Sequence, residues 1–174
     1  VCGEGFVAKL DAAGGALGDW MEVRVHDDTL RVPRVASGAG AWFSEFLGTP
    51  CELVFIPLEV HRPVDPTRAP GRRVGFADAY PLLLATEDSL EDLNRRGPER
   101  SSMMRFRPNL VVRGGVPWEE DRWRVLEVGG ARVELVKPCA RCSVTTVDPA
   151  SGTRGEEPLR TLAEFRRWEG KAYF

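Results

Sequence analysis

The chain has 174 residues, 43% of them hydrophobic and 29% charged, with a formal net charge of −2. That length supports one domain with a sizeable core, and the near-neutral balance excludes the global basic footprint of a nucleic-acid binder. No apolar run approaches the roughly 18–20 residues that a bilayer span needs, so no membrane partner is expected.

Residues 6–10 and 20–25 are short apolar-polar stretches on either side of Asp11-Ala12-Ala13-Gly14-Gly15, a hairpin-turn signal. Met21 to His26 alternates as a half-buried strand does, Asp27-Asp28 turns the chain, and Leu30-Arg31-Val32 is a further short strand ending at Pro33. Ser37 to Leu47 reads as a helix with Ser37 as its cap. Trp42, Phe43, Phe46 and Leu47 share one side of it, which is expected to face the core, and Gly48 supplies the left-handed stop. Cys51 to Ile56 follows as a strand, with Cys51 expected in the core.

Residues 57–75 form a loop rich in proline (Pro57, Pro63, Pro66, Pro70) and arginine (Arg62, Arg68, Arg72, Arg73). Its charge suits an anionic ligand or simply a solvated surface. His61 lies in it without a nucleophile or metal partner in the sequence.

Tyr80 to Ala85 is strand-like, and Thr86 then caps a helix whose first turn holds Glu87 and Asp88. Leu90 and Leu93 give that helix its buried side, and Gly97-Pro98 ends it. Ser101 to Arg107 leads into the strand Leu110–Arg113. Residues 123–128 and 131–136 alternate around Gly129-Gly130, a strong hairpin signal. Asp148 to Gly152 is a turn. Pro158 opens a last helix lined by Leu159, Leu162 and Phe165, with Arg166-Arg167 at its basic end. Many short strands with Gly/Pro turns and about three helices predict a mainly β fold with α (α+β). The expected architecture is an antiparallel β-barrel, closed or nearly so, with the helices outside it.

The chemistry concentrates in Lys137-Pro138-Cys139-Ala140-Arg141-Cys142-Ser143-Val144-Thr145-Thr146-Val147-Asp148-Pro149. Lys137 and Arg141 flank the two cysteines, and cationic neighbours favour the thiolate form. Three readings of the residues compete. A zinc site needs about four ligands, and Cys2, Cys51, His26 and His61 are singletons without ligand spacing. A thioredoxin-like pair should open a helix, whereas the β-branched Ser143–Val147 run predicts a strand. The third reading is a pair of small buried hydrophobes. Four cysteines without a disulfide-framework spacing point to a reducing compartment, and the start at Val1-Cys2-Gly3-Glu4-Gly5 lacks a signal-peptide pattern, so a cytoplasmic location is expected.

Three ordered blocks carry a resemblance. They are Phe76-Ala77-Asp78-Ala79-Tyr80-Pro81 continuing through Thr86-Glu87 to Leu93-Asn94, then Arg105-Phe106-Arg107-Pro108-Asn109-Leu110-Val111-Val112, then Cys139-Ala140-Arg141-Cys142 with Thr145-Thr146-Val147-Asp148-Pro149 and Gly152. In this order and at this spacing the chain resembles the MOSC domain family, that of molybdenum cofactor sulfurase C-terminal domains and the mitochondrial amidoxime-reducing component. The resemblance implies residues 1–53 as the remainder of an N-terminal β-rich segment plus one helix. It implies 54–174 as the MOSC domain, incomplete at its C-terminus.

The resemblance further implies a molybdenum–molybdopterin cofactor at one barrel mouth. Cys142, the second cysteine of the pair, would be the catalytic residue and the metal ligand. Asp78, Arg107, Asn109 and Arg141 would bind the cofactor; the plainer alternative is that Arg107 and Asn109 anchor a turn and Asp78 caps one. The implied reaction is reduction of small N-hydroxylated or N-oxide substrates. The chain shows no flavin or iron–sulfur motif, so an electron-donor protein or a ferredoxin-like domain is expected to supply the electrons. The alternative is a molybdenum cofactor sulfur carrier or binding module that works through a Cys142 persulfide.

Overall fold

The computed structural model describes residues 17–174. The hairpin signal around Asp11–Gly15 lies outside them. The chain divides into two compact units, one ending at Tyr80 and one running from Pro81 to Phe174.

In the first unit, β1 (Leu17–Val25) and β2 (Asp28–Val35) pair antiparallel through the turn at His26-Asp27. Pro33 does not end β2. It pairs with Trp20 beside a register shift in β1, and its carbonyl accepts from Phe55 N at 3.1 Å. Proline removes only a donor and keeps its carbonyl, so a position next to an irregularity tolerates it. Residues 51–56 do not form a named strand. They follow β2 through Val35 N to Leu53 O at 2.8 Å and a single bridge between Arg34 and Val54.

Helix α1 (Ala39–Leu47) ends as expected at Gly48, with φ 66°. Its N-terminal residue Gly38 gives no side-chain cap, and Ser37 Oγ accepts from Ala39 N at 3.3 Å instead. The aromatic stripe is not core-facing: Phe46 is 72% and Leu47 57% exposed. The reason lies on the opposite side of the helix. Ala39 is buried there, and a Cβ at Gly40 would stand 3.1 Å from the Cys51 carbonyl, so the small residues make the close approach. Cys51 is half-buried rather than core, with its Sγ 3.3 Å from the Thr49 carbonyl.

The long 57–78 loop is held from inside. Arg62 is 4% exposed, and its guanidinium donates to Asp28 Oδ2 at 2.6 Å and to the carbonyls of Gly75, Ala77 and Asp78. Four acceptors around one buried cation meet the requirement that a buried charge be paired.

The second unit begins with β3 (Leu84–Thr86), α2 (Glu87–Arg96) and β4 (Leu110–Val112), with β3 and β4 parallel. Thr86 Oγ1 accepts from Ser89 N at 3.2 Å, which is the predicted cap. Next come β5 (Val125–Val128) and β6 (Ala131–Glu134), antiparallel as expected. Gly129 and Gly130 have φ of 56° and 82°, the positive values that a two-residue hairpin loop of the primed type requires. Helix α3 (Leu159–Phe165) follows Pro158, and β7 (Arg167–Trp168) pairs with β8 (Lys171–Ala172). The core of this unit is Leu93, Phe106, Leu162 and Ala172, packed by Leu90, Trp118, Leu159, Phe165 and Phe174.

The protein is therefore mixed α/β, with three α-helices and four two-stranded sheets among the described residues. These ladders stop short of the expected closed antiparallel barrel, and one of them is parallel. Strands β3 to β8 are only two to four residues long, and Gly- and Pro-containing connections separate them. Among the described residues no helix is long and apolar enough to cross a membrane.

Candidate functional site

The run from Ala131 leaves β6 at Glu134 and reaches the cysteine pair without further regular structure. Ala140 bridges to Tyr173, Arg141 N donates to Ala172 O at 2.8 Å, and Phe174 N donates to Cys139 O at 3.3 Å. The pair is thus fixed along the C-terminal strand. Cys142 is itself extended, with φ −106° and ψ 176°. Three residues of extended chain separate Cα atoms by about 10 Å and point the side chains to opposite faces. A disulfide spans at most about 7 Å between Cα atoms, so Cys139 and Cys142 stand as free thiols.

The residues after Cys142 do not form the expected strand. Ser143–Thr146 is a single 3-10 turn. Its β-branched threonines point their hydroxyls back along the chain: Thr145 Oγ1 donates to Cys142 O at 2.9 Å and Thr146 Oγ1 to Ser143 O at 2.7 Å. Local side-chain bonds of this kind compete with a sheet ladder and here replace it. Cys142 is left exposed at the head of the turn, while Cys139 is half-buried.

Arg141 faces inward. Its Nη1 donates to Cys139 Sγ at 3.0 Å, and its Nη2 donates to the Phe106 carbonyl at 2.8 Å. Its Nε is buried and has no hydrogen-bond partner among the described residues. Arg141 therefore braces the first cysteine against the Arg105–Asn109 loop and keeps one donor uncommitted. Phe106, fully buried, stacks on Phe174 with ring centroids 3.8 Å apart and holds that loop in the core.

Arg107, next in the chain, is exposed and has φ 55°. A non-glycine residue in this left-handed region costs on the order of 1 kcal/mol and is kept only where its surroundings impose it. Among the described residues no hydrogen bond or ion pair engages the Arg107 guanidinium. Asn109 does the work of an anchor. Its Oδ1 accepts from Leu83 N at 2.9 Å, its backbone N donates to Leu83 O at 2.8 Å, and its amide nitrogen remains available. Asp78 belongs to the first unit, is exposed, and has its Oδ1 3.2 Å from His26 Nε2.

The structure thus links the segment of Cys142, through Arg141, to the loop that carries Arg107 and Asn109, and does not bring Asp78 into that network. The three sequence blocks meet where β3 pairs with β4, where Asn109 binds Leu83, and where Arg141 binds Phe106. Sequence reasoning missed Arg105, whose side chain is only 9% exposed and which reaches the Cys142 turn and the Asp148 loop. Its place one residue before the buried Phe106 gives no periodic signal. Among the described residues no three His, Cys, Asp or Glu side chains gather as a metal-holding group. An exposed thiol on a segment bonded to a loop of arginine and amide donors suits a metal that arrives with other ligands of its own, and an anionic group attached to it.

Residues 71–174 match the family model described as the MOSC domain. The chain is 33% identical over 186 aligned residues to the molybdenum cofactor sulfurase of Oryza sativa subsp. japonica, which covers 97% of this chain and 22% of that protein. It is 40% identical over 134 residues to the mitochondrial amidoxime reducing component 2 of Macaca fascicularis, covering 74% of this chain and 40% of that protein. It is 37% identical over 152 residues to the mitochondrial amidoxime-reducing component 1 of Mus musculus, covering 84% and 45%. The chain spans less than half the length of each of these relatives.

Proposed function

Because the chain belongs to the MOSC domain family, we propose that it is the molybdenum cofactor-binding part of an oxidoreductase that reduces N-hydroxylated or N-oxide compounds. One observation supports this most directly. Cys142 is a free, exposed thiol at the end of a segment bonded to the loop that presents the uncommitted guanidinium of Arg107.

Cys142 would give molybdenum its protein thiolate, a soft anionic donor. Arg107 would take the phosphate or a pterin oxygen with its planar fork, and the buried Nε of Arg141 would donate beside it. The amide nitrogen of Asn109 would donate to the pterin edge. When bound, the group would supply two-electron oxygen-atom acceptance from an N–O bond. The protein's share is to hold and orient it. Electrons would come from a donor protein or a ferredoxin-like domain. The antiparallel barrel of the family and a cytoplasmic location belong to the same proposal.

A second reading is favoured by the plant sulfurase, which aligns over 97% of this chain. In it the exposed Cys142 would carry a persulfide. Elemental and pterin analysis of the purified protein separates the two. Molybdenum with pterin in near-equal amounts supports the reductase. Sulfane sulfur on Cys142 without metal supports the carrier and overturns the first reading.

A further inference from the structure

Arg105 is a nearly buried cation that reaches Thr145, Asp148 and Glu157, 40 to 52 residues further along the chain. Its Nη2 pairs with Asp148 Oδ2 at 3.1 Å. Its Nη1 lies 3.5 Å from the Thr145 carbonyl and 3.4 Å from the Glu157 carbonyl. Thr145 is 1% exposed, and it in turn holds the Cys142 carbonyl twice, through its backbone N at 3.2 Å and its Oγ1 at 2.9 Å. A continuous chain of contacts therefore runs from Asp148 to Arg105 to Thr145 to Cys142. Asp148 is also the hub of its own turn, with Oδ1 accepting from Ala150 N, Ser151 N and Ser151 Oγ. It therefore presents Oδ2 to Arg105 from a fixed loop.

We propose that Arg105, held in place by Asp148, is the positioning residue that sets the direction of the Cys142 thiol. The inference deepens the reading of Cys142 as the metal-binding thiol and rests on it for its purpose. Its geometry is independent of that reading. The 3-10 turn is one turn long and has no helix behind it to fix its orientation, so its direction depends on what grips its carbonyls. A planar fork can hold a carboxylate and two carbonyls at once, whereas an ammonium on a flexible stem cannot reproduce that arrangement. Removing either charge leaves the other poorly paired, so the two side chains act as a unit.

The test reads each thiol separately. The purified metal-free protein is treated with a thiol-alkylating reagent, and the rates at Cys142, Cys139 and Cys51 are followed by peptide mass mapping. In Arg105→Gln the Cys142 rate is expected to change on the order of tenfold relative to Cys51, the scale of one lost charge-assisted hydrogen bond. Asp148→Asn should produce the same selective change, and Arg105→Lys should restore part of it. Thr145→Val, which removes only the hydroxyl link, should act in the same direction, and together with Asp148→Asn it carries the test if Arg105→Gln does not fold. A merely structural role would alter Cys51 and Cys139 along with Cys142, together with the thermal midpoint, and that result overturns the proposal. Molybdenum content measured in parallel separates the two ideas. A wild type that binds no molybdenum defeats the functional reading while the alkylation ratios still decide the role of Arg105.

Discussion

Arg141 Nη2 donates to the Phe106 carbonyl at 2.8 Å, and the same guanidinium stands over the Phe106 ring at 5.5 Å from its centroid. The arginine between the two cysteines is thereby a strut to the loop that bears Arg107. Lysine would keep the charge but lose the fork and most of the stacking. Arg141→Lys should lower stability by about 1–2 kcal/mol, read as a lower denaturant midpoint at unchanged slope. A midpoint equal to wild type would remove the strut from the account.

Cys142→Ser should abolish molybdenum retention with the fold intact, because serine keeps the volume but not the soft thiolate. Cys139→Ser should lose less, since that sulfur is half-buried and already accepts from Arg141 at 3.0 Å. Metal content of the three proteins by elemental analysis decides this. Equal loss in both variants would assign the metal to the pair rather than to Cys142.

Arg107 separates backbone strain from binding. Glycine relieves its φ of 55° whereas alanine keeps the strain, and both remove the guanidinium. Arg107→Gly should therefore be more stable than Arg107→Ala by about 1 kcal/mol, while both lose pterin to the same degree. Thermal midpoints and the fluorescence of released, oxidised pterin give the two readouts. A glycine variant no more stable than the alanine one would mean that the left-handed backbone costs nothing here.

Air oxidation of the folded protein should leave Cys139 and Cys142 unbridged, because the extended segment holds them out of disulfide reach. Non-reducing peptide mapping after prolonged oxidation checks it. A Cys139–Cys142 linked peptide from native protein would show that the segment moves far more than its bonds to Ala172 and Phe174 allow.

The link between helices and core predicts a pH effect at Asp92. The hydrogen bond from Arg96 Nε, at 2.8 Å, is the main cause holding its carboxyl below the ordinary value of 3.8, and Trp118 Nε1 adds a second at 2.7 Å. Its folded-state pKa is depressed, so its contribution is present in full above the ordinary value and is lost as the pH falls below that value towards the folded one. Asp92→Asn should flatten the acid limb of the stability curve in that range and leave the neutral-pH slope unchanged. An acid limb identical to wild type would remove Asp92 from it.

Several local features were legible because their causes lie within a few residues. Thr86 followed by Glu87 and Asp88 is a capping signal, and the cap forms. Gly129-Gly130 between alternating stretches demands positive φ, and both glycines show it. Gly48 ends α1 for the same steric reason. The three residue blocks that mark the family could also be read in order, since type and spacing suffice for that.

What the chain could not announce depends on partners distant in sequence. The Trp42–Leu47 stripe has the spacing of a core-facing helix, yet the close approach at Gly40 takes the packed side and leaves Phe46 outside. Thr145 and Thr146 have strand propensity, but their hydroxyls bond backward and the carbonyl of Thr145 is gripped by Arg105 from 40 residues away. Arg105 itself reads as one more arginine. Only folding shows it to be nearly buried, because a charge can leave water only where a carboxylate and carbonyls from other segments have been brought to meet it.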